Sequence, residues 1–215
     1  MNRAKIGIVT GLQAEAGWLR KAGFMVRAGG GTPHGAVEAA EALAGAGAQA
    51  LISFGLAGGL KPGLKPGSVL VPSVVISGTL TYPCDDRLMK FLGGATPGAI
   101  LAGQQIASSR QAKTLLYQRS HPDAIDLESG SVAEIAKANN LPFAVLRAVA
   151  DPAERDLPPA ALVALKEDGS LDVIRLMRSI ARQPGQIPGL VAVGRDAKAA
   201  RRALLERLKT LPASP

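Results

Sequence analysis

Hydrophobic residues in the first 150 positions fall into short runs that are mostly apolar throughout rather than alternating with polar residues. Such runs predict strands that are buried on both faces, and we expect them at residues 4–10, 24–27, 50–54, 68–76, 100–102, 124–126 and 141–150. Segments with helical spacing lie between them, at residues 13–20, 36–45, 109–119 and 128–138. Strands that alternate with helices predict an α/β protein, built as a three-layer α/β/α sandwich.

Two segments interrupt this alternation. Pro72 falls inside the run 68–76 and marks an edge strand or a bulge, because proline has no backbone N–H to donate. The polar segment 79–98 predicts a loop with a short helix.

The C-terminal part of the chain, about residues 158–210, is predicted to be helical, with helices at 160–166, 171–183 and 187–208. The last helix carries an apolar stripe opposite a basic face, formed by Leu190, Val193, Ala197, Ala200, Leu204 and Leu208. No linker-like segment divides the 215 residues, so we predict a single domain over residues 1–215.

The composition is typical of a globular protein with many turns, since 47% of the residues are hydrophobic and there are 25 glycines and 15 prolines. The single cysteine, Cys84, excludes a disulfide within the chain, and with only two histidines we expect no metal site. We find neither a signal peptide nor an apolar run of about 18 residues, and we therefore expect a cytoplasmic protein.

The net charge of +8 raises the hypothesis of a nucleic-acid partner. However, the basic residues become dense only from Arg175 onwards, and the sequence lacks a helix-turn-helix signature, metal-finger spacing and interleaved aromatic residues. The charge therefore predicts an anionic partner without identifying it, and we expect no nucleic acid.

Two acidic positions at predicted strand ends are candidates for chemistry. Glu128 follows the short strand 124–126, and a carboxylate there is able to accept hydrogen bonds from the two adjacent hydroxyls of a ribose. The alternative is a helix cap made by Asp126 or Ser129, with Glu128 in solvent. Asp151 ends the strand 141–150, either as a ligand-contacting carboxylate at the edge of an open sheet or as a turn residue before a proline.

Two glycine-rich segments are candidates for ligand contact. The loop 28–35 runs into a helix and suits an anion, because bare backbone N–H groups and the helix dipole both favour phosphate. It lacks the dinucleotide fingerprint, since His34 occupies the position of the third glycine, and we expect no nicotinamide cofactor. The segment 55–60 is not a P-loop, and it predicts either a tight turn or a ligand-contacting loop.

Several of these motifs, taken in order, resemble the superfamily of purine nucleoside phosphorylases and methylthioadenosine/S-adenosylhomocysteine nucleosidases. The resemblance covers about residues 4–156 and implies a nucleoside phosphorylase-like fold with a central mixed sheet. It rests on Lys5-Ile-Gly-Ile-Val with Glu15 behind it, Ile52-Ser-Phe-Gly-Leu-Ala-Gly-Gly-Leu with Lys65-Pro-Gly-Ser-Val, Asp126-Leu-Glu-Ser, and Arg147-Ala-Val-Ala-Asp.

The segment from Asp151 to Leu165, followed by Arg182-Gln-Pro-Gly-Gln-Ile-Pro, is similar to the hopanoid-associated branch of the superfamily. That branch is associated with removal of adenine from adenosylhopane in hopanoid lipid biosynthesis. The resemblance therefore implies an enzyme that releases adenine from an adenosyl nucleoside, most specifically by phosphorolysis of adenosylhopane. The alternatives are a hydrolytic methylthioadenosine/S-adenosylhomocysteine nucleosidase and, more remotely, a non-catalytic module that binds nucleic acid or membrane.

The resemblance also assigns roles to residues. Asp151 stands where the family's acid addresses N7 of adenine, and Glu128 stands where the family binds the ribose hydroxyls. Leu127 replaces the usual methionine under the sugar, and Ala150 replaces the serine before the acid. Ile106 occupies the position of a base-stacking aromatic residue, which favours an aliphatic contact with the base. The ribose and anion side would be lined by Gly55, Ala57 and Gly58.

The acceptor of the sugar is either water or phosphate. Glu15 aligns with the residue that positions water in the nucleosidases, which favours hydrolysis, whereas the branch assignment favours phosphorolysis. A phosphate site would use Gly30, Gly31, Thr32 and His34, and inorganic phosphate would then be a co-substrate with no other cofactor needed. The resemblance further implies a homo-oligomer, and a lipid-linked substrate would give the basic C-terminal helix a peripheral membrane contact; otherwise that helix is docked with its basic face in solvent.

Overall fold

The computed structural model describes residues 2–163 and 173–215, and these residues form a mixed sheet flanked by helices. The strands are β1 (Ile6–Thr10), β2 (Met25–Ala28), β3 (Ala50–Gly59), β4 (Val69–Leu70), β5 (Pro72–Ser77), β6 (Leu80–Pro83), β7 (Thr96–Ala102), β8 (Ala124–Asp126) and β9 (Phe143–Asp151). The helices are α1 (Gln13–Lys21), α2 (Pro33–Gly45), α3 (Asp86–Phe91), α4 (Arg110–Ser120), α5 (Ser129–Ala138), α6 (Pro159–Val163), α7 (Val173–Arg182) and α8 (Ile187–Thr210).

Strand β3 organises the sheet. It pairs in parallel with β1 and with β9, and its last residues pair antiparallel with β8. The main path through the sheet runs β2-β1-β3-β8-β7-β5-β6, with β9 joined to β3 and to β4. The expected α/β fold with a central mixed sheet is confirmed. Because β1, β3 and β9 are parallel, their carboxyl ends share one edge, and this edge brings the β1–α1 turn close to Asp151.

Strand β3 is longer than the sequence predicts. Residues 55–59 continue the strand instead of forming a loop, because Gly55 to Ala57 pair with β9 before Gly58 and Gly59 pair with β8. Glycine is depleted in strands, so this extension rests on two neighbouring strands rather than on local propensity.

Pro72 divides the run 68–76 into β4 and β5, which pair with different strands. The polar segment 79–98 contains more structure than a loop with one helix, since β6 forms a hairpin with β5, α3 follows, and β7 begins at Thr96. The predicted helices 160–166 and 171–183 are represented by α6 and α7, and their parts between 164 and 172 lie outside the described residues.

Helix α8 docks on the sheet through its apolar stripe. Ala200, Leu204 and Leu208 are buried, and the helix packs against β9 and β3. The main hydrophobic core contains residues from Ile6 to Leu211, although the organisation of the whole chain as one domain stays a prediction. In the part of the chain that the structure describes, no helix is both long and apolar enough to cross a bilayer.

We expect Leu204→Ala to lower the free energy of unfolding by about 2–5 kcal/mol, because it leaves a cavity at a fully buried position on the face of α8 that packs on the sheet. Val191→Ala in the same helix is the control, since Val191 is 67% exposed and should change stability by less than about 0.5 kcal/mol. Denaturant unfolding of both variants measures the difference. Equal stabilities would mean that α8 does not pack on the sheet in solution.

Candidate active site

A cavity of about 270 Å³ lies at the carboxyl edge of the parallel strands. Its walls are mainly aliphatic side chains and glycine, and carboxylates are the main polar groups among them. The lining residues are Gly11, Leu12, Glu15, Gly31, Leu56, Ala57, Gly58, Gln105, Ile106, Ala107, Ile125, Asp126, Leu127, Glu128, Arg147, Ala150, Asp151 and Leu157.

The turn between β8 and α5 directs Glu128 into this cavity. Asp126 Oδ1 accepts hydrogen bonds from the backbone N–H groups of Glu128 at 3.0 Å and of Ser129 at 2.9 Å, so Asp126 holds the turn that leads into the helix. The Ser129 hydroxyl donates to the other oxygen of Asp126. Glu128 is only 4% exposed. Glu128 itself occupies the N-cap position, without a side-chain cap bond, so neither Asp126 nor Ser129 is the N-cap residue and Glu128 is not solvent-exposed.

Arg147 is the buried cation of the site. Its Nε lies 2.7 Å from Asp126 Oδ2, and its second guanidinium nitrogen lies 2.8 Å from Glu128 Oε2. The same nitrogen donates to the Ser53 hydroxyl at 2.6 Å. Burial opposes the charge of Arg147, but Asp126 and Glu128 outweigh it and hold the pKa of the guanidinium above its usual value. Arg147 therefore fixes both acidic residues of the β8–α5 turn.

Two glycines make room for these charged groups. A Cβ at Gly55 would lie 2.6 Å from a guanidinium nitrogen of Arg147 and 3.2 Å from Glu15 Oε2. A Cβ at Gly11 would lie 2.6 Å from Glu128 Oε1. Any side chain at either position would displace the charged groups. Gly55 thus lies behind the cavity wall, next to Arg147, whereas Ala57 and Gly58 line the cavity.

Glu15 enters the cavity from the first turn of α1 and is 1% exposed. The Thr10 hydroxyl at the end of β1 donates to Glu15 Oε2 at 2.5 Å, which leaves Oε1 without a hydrogen-bond partner. Burial raises the pKa of Glu15 above its usual value, against the lowering effects of Thr10 and Arg147.

Asp151 ends β9 and lines the cavity. Its Oδ2 accepts a hydrogen bond from Lys113 Nζ at 2.5 Å, and its Oδ1 is buried without a partner. Burial raises the pKa of Asp151, although Lys113 opposes this effect. The side chain of Asp151 is 12% exposed and that of Lys113 is fully buried.

Three carboxylates that line the same cavity therefore each keep one buried oxygen without a hydrogen-bond partner: Glu15 Oε1, Glu128 Oε1 and Asp151 Oδ1. Buried polar atoms normally have partners. A ligand whose hydrogen-bonding groups match these oxygens would satisfy all three.

The loop residues expected to bind phosphate separate in the structure. Gly31 lines the cavity, whereas Gly30, Thr32 and His34 line a second depression beside α2. The Thr32 hydroxyl accepts a hydrogen bond from Gly35 N at 3.1 Å and so caps α2. The side chain of His34 is 86% exposed and lies 3.3 Å from Glu38. The loop therefore does not present these four residues to one ligand in the main cavity.

The other expected site residues, Leu127, Ile106 and Ala150, line the main cavity. The sequence interpretation missed the roles of Arg147 and Lys113. For Arg147 a signal exists, because a charged residue interrupts the otherwise apolar strand 143–151 before Asp151. For Lys113 no signal exists, since it lies on a largely polar helix and meets Asp151 only through the tertiary fold. Among residues 2–163 and 173–215, no group of three or more His, Cys, Asp or Glu is arranged to hold a metal ion.

Solved structures of nucleosidases have the same architecture. A methylthioadenosine/S-adenosylhomocysteine nucleosidase from Colwellia psychrerythraea, solved with adenine, matches with a TM-score of 0.69 and 16% identity over 100% of this chain and 98% of that chain. An S-adenosylhomocysteine nucleosidase from Streptococcus pyogenes, solved with 5-methylthiotubericidin, matches with a TM-score of 0.66 and 17% identity over 96% and 97% of the two chains. The futalosine hydrolase of Helicobacter pylori matches with a TM-score of 0.67 and 16% identity over 95% and 96%. The chain therefore has the nucleoside phosphorylase/nucleosidase fold.

Sequence comparison adds one match to this similarity of fold. The model of the Phosphorylase superfamily matches residues 5–92. This range includes Glu15 and strand β3, whereas Glu128 and Asp151 lie beyond it. Comparison with curated proteins gives no match.

The position of Glu128 predicts how stability depends on pH. Burial raises the pKa of Glu128 to about 7, against the lowering effect of Arg147, so the folded state holds this proton more tightly than the unfolded chain does. The stabilisation is complete below the ordinary pKa of 4.5 and is lost as the pH rises through about 7. We therefore expect Glu128→Gln to lose less free energy of unfolding than the wild type between pH 5 and pH 7.5, by at least about 1 kcal/mol.

The control is Glu134→Gln, which changes an exposed glutamate on the same helix. Its unfolding free energy should follow the wild-type pH dependence. If Glu128→Gln also followed the wild type, Glu128 would be ionised in the folded state at pH 5.

Proposed function

We propose that this protein is an enzyme that cleaves the N-glycosidic bond of an adenosyl nucleoside and releases adenine. The observation that carries the proposal is the set of three buried, unpaired carboxylate oxygens of Glu15, Glu128 and Asp151 around one mainly apolar cavity. The fold of known nucleosidases and the Phosphorylase superfamily match over residues 5–92 support it.

The three carboxylates suit the three tasks of the reaction. Glycosidic cleavage builds positive charge on the ribose while the base leaves with the bonding electrons. Protonated Asp151, with its raised pKa, gives a proton from Oδ1 to N7 of the leaving adenine. Glu128, held by Arg147, accepts hydrogen bonds from the ribose hydroxyls. Glu15 takes a proton from the attacking nucleophile, and burial, which raises its pKa above the usual value, makes its carboxylate a stronger base.

Water is the acceptor that this cavity favours. Phosphate requires donors and positive charge, but Arg147 is the cationic side chain in the described lining, and Asp126, Glu128 and Ser53 already engage it. Phosphorolysis is the second candidate. Gly31 favours it, since this glycine of the predicted phosphate loop does reach the cavity.

The apolar walls favour a substrate with an apolar group on the ribose. Leu12, Leu56, Ile125 and Leu157 line the cavity, and Ile106 both lines it and is 46% exposed, so it lies at the mouth. A methylthio group fits this description, and so does the hydrocarbon of adenosylhopane, which the sequence resemblance favours. We propose adenosylhopane as the first substrate to test and methylthioadenosine as the second.

The deciding measurement is adenine release from adenosylhopane, methylthioadenosine and adenosine, each with and without inorganic phosphate. The geometry predicts release of adenine without phosphate, and the second product would then carry a ribose with a hydroxyl at C1′. Release only with phosphate, yielding a sugar 1-phosphate, would establish phosphorolysis instead. No release from any of the three nucleosides would overturn the proposed function.

Asp151→Asn and Glu128→Gln should each lower turnover on the order of a hundredfold or more, because one loses the acid and the other loses the ribose-binding charge. Asp156→Asn is the control, since Asp156 follows the same strand but pairs with Arg110 outside the cavity. Both site variants should keep cooperative unfolding. Wild-type turnover in both would contradict the assignment of the site.

We further propose a peripheral contact with an anionic membrane surface, through α7 and the start of α8 rather than through the whole C-terminal helix. The apolar stripe of α8 is buried at Ala200, Leu204 and Leu208. By contrast, Ile174 and Met177 on α7 are 67% and 59% exposed. Ile187 and Val191 at the start of α8 are also exposed.

Charge favours an anionic lipid surface as the occupant of this face. Arg175, Arg178 and Arg182 fall on the side of α7 opposite to its apolar residues, as in helices that lie in a membrane interface. A lipid-linked nucleoside such as adenosylhopane would be presented at such a surface, so the membrane contact would bring the enzyme to its proposed substrate.

The double variant Ile174→Ser with Met177→Ser should bind about tenfold less to vesicles containing phosphatidylglycerol, because two exposed apolar side chains no longer enter the lipid. Leu80→Ser is the control, since Leu80 is 55% exposed but lies on β6. Vesicle co-sedimentation measures the effect. Binding that is equal for all three proteins, or absent in the wild type, would contradict the membrane contact.

A further inference from the structure

Lys113 is a buried charged residue that lies outside the cavity and yet contacts the site. Its side chain is fully buried, and its ammonium group donates to Asp151 Oδ2 at 2.5 Å, to Pro152 O at 2.9 Å and to Arg155 O at 2.8 Å. An ammonium group has three hydrogens, so every donor of Lys113 is used. The group has a fixed position and cannot turn towards a ligand without breaking one of these bonds.

The contact divides the carboxylate of Asp151 into two different oxygens. Oδ2 is held by Lys113, whereas Oδ1 is buried, unpaired and part of the cavity-facing side chain. A free carboxylate can rotate and exchange its oxygens, but this one cannot do so without breaking its bond to a buried ammonium group. The proton that Asp151 gives to a ligand is therefore confined to Oδ1.

We propose that Lys113 is a positioning residue for the reaction, which aims Oδ1 of Asp151 at the leaving base and holds the negative charge that the carboxyl group gains. This inference rests on the proposed function, in which Asp151 is the acid. During the reaction the C1′–N9 bond breaks and its electron pair goes to adenine. The proton on Asp151 Oδ1 moves to N7, and the resulting carboxylate is paired with the ammonium of Lys113.

Two effects on Asp151 oppose each other in this arrangement. Burial favours the neutral acid that the reaction consumes, and Lys113 favours the carboxylate that the reaction produces. The other charged groups that face Asp151 are Arg155, in the segment after β9, and Asp196, from α8. Arg155 and Asp196 form an ion pair with each other, so their effects on Asp151 partly cancel. Lys113 is thus the dominant charge that stabilises the carboxylate.

The test uses three substitutions of Lys113 in the full-length protein. Lys113→Met removes both charge and donors, Lys113→Gln keeps a donor without the charge, and Lys113→Arg keeps the charge. Lys61→Met is the control, because Lys61 forms a half-exposed ion pair with Asp123, 3.4 Å away, outside the cavity lining. Thermal unfolding identifies the variants that remain folded, and Lys113→Gln and Lys113→Arg serve if Lys113→Met does not.

The readout is the pKa of Asp151, followed by carbon NMR of carboxyl-labelled aspartate and assigned with Asp151→Asn. We expect the pKa to rise by about 1 to 3 in Lys113→Met and Lys113→Gln, since an opposite charge at this distance lowers a carboxyl pKa by that amount. Lys113→Arg should restore it towards the wild-type value. This titration needs no substrate, so it decides the inference even if the wild type releases no adenine.

The pH profile of adenine release gives a second readout. Turnover falls as the pH rises through the pKa of Asp151, because the acid form is the active one. In Lys113→Gln that fall should move to higher pH, while turnover on the acidic side drops at least about tenfold because the acid is weaker and its product charge is unpaired. If Lys113 had only a structural role, its replacement would lower turnover at every pH without shifting the pH at which turnover falls.

The outcomes separate the inference from the function on which it rests. If the pKa of Asp151 and the pH profile of Lys113→Gln equal those of the wild type while Asp151→Asn is inactive, the role of Lys113 is wrong and the proposed function stands. If Asp151→Asn keeps full turnover, the acid assignment is wrong, and the NMR titration still reports whether Lys113 controls that carboxyl group.

Discussion

The buried guanidinium of Arg147 is the interaction on which the site depends. It carries the compensating charge for Asp126 and Glu128, which would otherwise be costly in an interior that excludes water. It also joins β9, where it resides, to the β8–α5 turn and, through Ser53, to β3. Three elements that contribute residues to the cavity lining are therefore held by one side chain. Gly55 is required because a Cβ there would occupy the space of this side chain.

Much of the fold follows from the sequence because it depends on local pattern. Apolar runs such as 4–10 and 141–150 have the length and composition of buried strands, and β1 and β9 form close to the expected positions. The errors occur where pairing overrides propensity. Residues 55–59 look like a loop because glycine is a poor strand former, yet they have strand partners on both sides. The strand β6 also lies in a segment whose polar sequence predicts a loop, and it forms because it pairs with β5 in a hairpin.

The site is predictable where a motif carries its own chemistry and unpredictable where tertiary contacts supply it. Glu128 and Asp151 are identifiable because Asp151 directly follows the predicted strand 141–150 and Glu128 comes two residues after the strand 124–126. The sequence cannot show that each carboxylate is paired with a cation. Arg147, which pairs with Glu128, lies on β9, and Lys113, which pairs with Asp151, lies on α4. Nor can it show that Thr32 and His34 face away from the cavity that Gly31 reaches.

The two buried cations pair with their carboxylates in the same way. Arg147 pairs with one oxygen of Glu128 and Lys113 with one oxygen of Asp151, and the remaining oxygen of each carboxylate is buried without a partner. Glu15 has the same arrangement with a neutral donor, Thr10. A buried oxygen without a protein partner is costly for the folded chain, and three such oxygens belong to residues that line one cavity. This concentration of unpaired carboxyl oxygens at one edge of the sheet is the feature on which the proposed adenosyl-nucleoside site rests.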